Sequence, residues 1–262
     1  MRLTSVSLIR QSPLPSTSDP YTDEAQPTFA REESSMAEAS PSSRESLLRL
    51  VLRVQERQNA ADAPSPAKAK ILATAMSLFT KTGFAGTSMR DIASDVGIKA
   101  ASLYSHFPDG KTQILAVGLR SILDQFHAFV IEDIRYDLSA VDQLHAVLAR
   151  HVRWQIDFGE TAVAWDAAIN QFGVAGALPD GVLEHIRDEQ ALYLNFIRAL
   201  VIEVNAGQSS SEDVSSAVML LCNSAHRFLP GELRSSTQVP SAQRDAVMVT
   251  VWNLTRALLA IS

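Results

Sequence analysis

Between Ser88 and Phe107 the chain is punctuated tightly enough to leave few folds open. Ser88-Met-Arg-Asp91 has the Ser/Thr-x-x-Asp/Glu spacing of a capping box, in which two side chains satisfy free backbone N–H groups in the first turn of a helix. Ile92, Ala93 and Val96 follow at helical spacing, and Gly97 tolerates the positive φ that ends a helix and turns the chain. A second short helical segment, Lys99–Phe107, begins after a three-residue connection and is broken by Pro108-Asp109-Gly110. Two short helices joined this way have the geometry of a helix-turn-helix, whose second helix enters the major groove of DNA. Its groove side must be small or polar and its inner side apolar. Leu103 and Phe107, four apart, take the inner side, which leaves Lys99, Ala100, Ser102, Tyr104 and His106 to meet DNA.

From Pro66 onward the periodicity is helical and no alternating run of strand length occurs, so the fold class is all-α. Ile71, Leu72, Ala75, Leu78 and Phe79 stripe an opening helix that stops at Gly83, and a long helix carries Ile114, Leu115, Leu119, Ile122, Phe126, Phe129 and Val130. Further helices are expected at 140–157, 161–173, 180–205, 211–229 and 241–260. Residues 1–43 are rich in Ser, Pro, Thr and Glu and too poor in large apolar groups to offset the entropy of ordering, so they read as disordered. Nothing ahead of Met36 reads as structural, which makes Met36 an alternative start. Residues 44–58 have helical composition and suit a helix that docks on the body or on DNA, cut off by a Pro-containing linker at 61–66. The division is a dispensable leader (1–65), a DNA reader (66–118) and a helical ligand-binding and dimerisation domain (119–262).

Charge sharpens this division. The chain of 262 residues carries a net −6, which on its face disfavours nucleic acid. Yet residues 66–118 hold six basic and three acidic side chains, and every lysine of the protein lies between Lys68 and Lys111. A basic segment in an acidic chain points to nucleic acid. One cysteine excludes a disulfide framework and a Cys-rich zinc site. The N-terminus lacks a sustained apolar stretch, and the apolar runs elsewhere are short and broken by charge, which implies a cytoplasmic protein without membrane contact.

The segment from Lys70 to Val117 resembles the DNA-binding domain of TetR-family transcriptional regulators. The resemblance rests on Ala75, Leu78-Phe79, Gly83-Phe84, Thr87-Ser88, Asp91-Ile92-Ala93, Gly97-Ile98, Leu103-Tyr104, His106-Phe107 and Lys111 in order. It implies that Thr87 and Ser88 cap the second helix and touch phosphate, and that Arg90 reaches the DNA backbone. It places Lys99, Ala101, Ser102, Tyr104 and His106 on the recognition helix, and Lys111 at a phosphate beside the next helix. Two residues depart from the family pattern: Lys99 where a Ser or Thr cap is usual, and Ala101 where Gly is common. The link to Lys111 is also one residue longer than usual.

The second half shows no nucleophile elbow, phosphate loop or metal-spaced His pair, so neither a catalytic site, a metal nor a cofactor is expected. His151, Trp154, Trp165, Ile169, Phe172, Tyr193 and Asn223 are the candidate contacts of a small effector in an apolar cavity. The run Phe228-Leu-Pro-Gly-Glu-Leu is similar to family members that sense acyl-CoA thioesters, which implies an acyl-CoA or comparable apolar acid. Val214, Val218, Leu221 and Ala225, then Val247, Val251, Leu254 and Leu258, stripe the last two helices, the pair through which the family forms homodimers. The function that follows is a ligand-released repressor bound to double-stranded operator DNA. A constitutive DNA-binding dimer, or a helical enzyme bearing a helix-turn-helix-like element, are the alternatives.

Overall fold

The computed structural model describes residues 41–60, 65–132, 134–166, 178, 180–205, 211–234 and 238–261. Among them every regular element is a helix: α1 Ser43–Ala60, α2 Pro66–Thr82, α3 Met89–Val96, α4 Ala100–His106, α5 Gly110–Ile131, α6 Ala140–Asp157, α7 Gly159–Asp166, α8 Asp180–Val204, α9 Ser211–Asn223 and α10 Ser241–Leu259. Two 3-10 turns, Ala225–Phe228 and Gly231–Leu233, separate α9 from α10. The all-α expectation holds, and local chemistry sets many of the boundaries. Ser65 accepts the Lys68 N–H, with Pro66 at the first helical position where its missing donor costs nothing. Ser139 caps α6 in the same way through the Asp142 N–H. The single helix expected over 211–229 is broken after Asn223. The tighter turn that follows buries both Ala225 and Leu229 just ahead of Pro230, which cannot continue a helix.

Two apolar cores organise the chain. The first gathers Ile71, Phe79, Ile92, Leu103, Phe107, Ile114 and Leu119 from α2 to α5 and is closed by Leu183 and Ile186 from the start of α8. The second packs α6, α8, α9 and α10 through Leu148, Val152, Phe196, Leu200, Val218 and Val251. Helices α5 and α8 enter both, α5 giving Leu119 to the first core and Val130 to the second. Met76 of α2 lies so close to Gly118 of α5 that a Cβ there would come within 2.7 Å of the Met76 Sδ. α5 thus joins the two cores as one rigid element. Service to both cores also explains its composition: contrary to the expectation from charge spacing, α5 is long and apolar enough to cross a membrane, and half of that apolar stretch is buried within the protein.

Helix α1 corrects the expectation of a dispensable leader. Leu47, Leu50 and Val54 are buried in the second core, each burial being worth about 1.5–3 kcal/mol. The Ser43 N–H and hydroxyl both donate to the Glu203 carboxylate of α8 at 2.8 Å, so α8 caps α1. Further along, Arg53 Nε reaches Glu189 Oε1 of α8 at 2.8 Å, while Arg57 pairs with both Asp124 of α5 and Glu189. α1 therefore docks on the body, and it ties α5 to α8. Residues 1–40, including Met36, lie outside the described residues.

The stripes assigned to dimer contact divide. Val218, Ala225, Val247 and Val251 are consumed by the chain's own second core, and Val214 and Leu221 pack against it. Leu220 (68% exposed), Val249 (57% exposed), Leu254 and Leu258 point outward. The first two belonged to neither expected stripe.

Candidate nucleic-acid interface

The helix-turn-helix is built from short-range contacts. Ser88 Oγ accepts the Asp91 N–H at 3.2 Å and the Ser88 N–H donates to Asp91 Oδ2 at 2.8 Å, completing the capping box. Hydrogen bonding from the Ser88 side chain and backbone to the carboxylate holds Asp91 below its ordinary range. Gly97 adopts φ 82° and its N–H donates back to Ala93 O and Ser94 O, so the chain leaves α3 through a left-handed cap that disfavours any side chain. Lys70 Nζ donates to Val96 O at 2.9 Å and closes the same helix end from α2. Leu103 and Phe107 are fully buried and seat α4, with the Lys68 ammonium 5.3 Å from the Phe107 ring centroid.

This seating decides which of the expected DNA-facing residues reach solvent. Ser88, Arg90, Lys99, Ala101, Ser102, Tyr104 and His106 are exposed, Tyr104 by 49%. Ser105 belongs with them. It was missed in the sequence although the helical wheel leaves it outward, and its hydroxyl donates to Ser102 O. Two expectations are corrected. Thr87 is only 2% exposed, and its hydroxyl is spent on Gly83 O and Thr82 Oγ1, both at 2.8 Å. It braces the loop before α3 rather than facing a phosphate. Lys111 Nζ donates to Phe84 O at 2.8 Å and Thr87 O at 3.0 Å and lies 4.5 Å from the Phe84 ring centroid. It is a strut between α5 and that loop. Lys99, at the N-cap of α4, makes no capping bond, as a donor-only side chain must.

Residues 71–117 match the family model for bacterial regulatory proteins of the tetR family. Over this segment the chain is similar to the tetR family. The biofilm operon icaADBC HTH-type negative transcriptional regulator IcaR of Staphylococcus aureus (strain Newman) is 30% identical over 102 residues, which is 36% of this chain and 54% of that protein. The chain thus spans about half the length of the curated relatives it matches. Two solved structures share the fold. A tetR-family regulatory protein from Rhodococcus RHA1 aligns with a TM-score of 0.60 at 17% identity over 75% of this chain and 97% of its own. AibR, in complex with isovaleryl coenzyme A and operator DNA, aligns at 0.58 and 16% over 72% and 97%. At these identities the two structures establish architecture alone.

In the helical half of the chain, four of the expected effector contacts come together, one does not, and two fall outside the described residues. His151 Nδ1 and Tyr193 OH lie 3.0 Å apart in the second core, Gln155 Nε2 is 3.3 Å from His151 Nε2, and Asn223 also hydrogen-bonds the imidazole. Phe126 packs edge-on against His151, Tyr193 and Trp154. Trp165 instead packs against the first core, and Ile169 and Phe172 lie outside the described residues. The sequence offered no sign of Phe126 or His127 as members of this cluster, since both belong to the spacer helix α5. Among the described residues no group of three metal-ligating side chains assembles.

Burial pushes His151 down to about 4, and burial together with the nearby Arg57 charge does the same to His127. Both pKa values are depressed on folding. The unfolded chain therefore takes up protons below about 6.5 that the native state refuses. Stability is full above that pH and falls as the pH drops towards 4. Urea midpoints measured between pH 7 and 4 should decline over this window, and His127→Phe should decline less steeply.

Proposed function

We propose that the chain is a cytoplasmic transcriptional repressor that binds double-stranded operator DNA as a homodimer and is released by a small apolar ligand. The observation that carries the DNA half is the outward face of α4 with Arg90 beside it. Small and polar side chains (Ala101, Ser102, Ser105) allow close approach to the groove, while Arg90, Lys99 and Tyr104 are exposed and Arg90 and Lys99 are uncommitted to the fold. The negative-regulator relative supports repression. The outward residues Leu220, Val249, Leu254 and Leu258 supply apolar surface for a two-fold contact, which doubles the site read.

The effector reading rests on the His151–Tyr193–Asn223–Trp154 cluster, and the isovaleryl coenzyme A complex of AibR supports an acyl-CoA as the class to test. A ligand that inserts here has to replace the His151–Tyr193 bond and displace Phe126 of α5, the helix that carries Lys111 at its other end. Release then follows from the ligand's differential affinity for the displaced arrangement of α5.

The test is binding to duplexes selected from a random pool, followed by fluorescence anisotropy. Salt-sensitive binding with a two-fold consensus supports the DNA reading, and absence of a consensus overturns it. Addition of isovaleryl-CoA and longer acyl-CoAs should lower affinity; if none does at saturation, acyl-CoA release is wrong. Leu220→Arg with Leu254→Arg should give a monomer by light scattering and weaken DNA binding at least tenfold. Dimers that persist unchanged would place the two-fold contact elsewhere.

A further inference from the structure

We infer that Lys99 is a specificity-determining residue that reads a guanine in the major groove; this rests on the DNA-binding reading above. The basic residues around it are divided in their tasks. Lys70 and Lys111 donate to backbone carbonyls and Lys68 sits over the Phe107 ring, so all three are spent on holding the fold. The Lys99 side chain is exposed, makes no capping bond, and is bound to nothing else among the described residues.

Its position is costly to the helix it precedes. An N-cap is best filled by an acceptor, and the N-terminal end of a helix is the positive end of its dipole. A lysine there satisfies no N–H and adds like charge. Structure alone does not account for such a residue, whereas the groove does. Residues at the N-terminal end of a recognition helix meet base edges, while flanking elements meet phosphates. Here the flanks already present Ser88 at the cap of α3, Arg90 on α3 and Tyr104 further along α4. Beside Lys99 the outer face of α4 begins with Ala101 and Ser102, too short to obstruct a four-carbon stem extended into the groove.

The chemistry then selects the base. A lysine ammonium only donates. Guanine presents two adjacent acceptors, N7 and O6, whereas adenine sets its N6 donor beside N7, thymine offers the single acceptor O4 next to its methyl group, and cytosine offers a donor. A donor-only side chain at a base edge therefore favours guanine.

The experiment is selection of bound duplexes from a random pool by the parent protein, Lys99→Ser and Lys99→Arg, with a melting curve for each. The parent and Lys99→Arg should share a guanine at one position in each half-site. Lys99→Ser should lose preference at that position by roughly ten- to a hundredfold and change other positions less than threefold. Because Ser restores a proper cap, Lys99→Ser should melt no lower than the parent, so a lost preference is not misfolding. The proposal is overturned if Lys99→Ser weakens binding to all sequences alike, which is the signature of a phosphate contact, or if its consensus is unchanged. A parent that selects no consensus at all removes the DNA-binding reading itself.

Discussion

Leu50→Ala is expected to lower the unfolding free energy by about 2–5 kcal/mol, although it lies outside the helix-turn-helix and ahead of its first helix. Leu50 is fully buried, and α1 brings Leu47 and Val54 into the same core. Total stabilities of about 5–15 kcal/mol leave little margin for losing all three. A chain that begins at Pro66 is therefore expected to be recovered unfolded or aggregated. Beyond its apolar face, α1 binds α8 at both ends of their contact, through Ser43–Glu203 and through Arg53 and Arg57 to Glu189. Removing α1 also takes both arginine partners from the Glu189 carboxylate. Urea unfolding of Leu50→Ala, with exposed Leu48→Ala on the same helix as control, checks this. Equal midpoints for the two variants would mean that α1 is peripheral.

The contrast between α1 and the helix-turn-helix shows what a sequence discloses and why. Ser88 and Asp91, Gly97 and its carbonyl partners, and Leu103 with Phe107 lie within four residues of one another, so their spacing spells out their contacts. The seat of α1 depends on Glu203 and Glu189, 160 and 136 residues further on, and no periodicity reports that. Lys111 was misplaced for the same reason. Its partners are the carbonyls of Phe84 and Thr87, whose orientation only the folded loop reveals. Val218 and Val251 repeat at helical spacing whether they face their own core or a second subunit, so the pattern found the helices but could not apportion the faces. His151 and Tyr193 were picked out individually as chemically distinctive residues in an apolar half. Their bond across 42 residues is tertiary information.

Arg90→Ala and Lys111→Met should both weaken DNA binding, and their salt dependence should tell them apart. Arg90 is exposed and its side chain is unpaired among the described residues, so on the proposed DNA-binding reading its loss removes a phosphate contact and nothing structural. In a dimer the slope of log K against log salt should fall by about 1.8, roughly 0.9 for each of two phosphates, with the melting temperature unchanged. Affinity should fall at least tenfold at low salt. Lys111 makes two charge-assisted bonds to backbone carbonyls, each worth about 1.5–3 kcal/mol, and orients the loop that delivers Ser88 to the start of α3. Lys111→Met should therefore lower the melting temperature. At a temperature where it is fully folded, it should bind more weakly with nearly the parental slope. If instead Lys111→Met reduces the slope as Arg90→Ala does while the fold stays as stable as the parent, Lys111 swings out to a phosphate on binding, and its two carbonyl bonds belong only to the free protein.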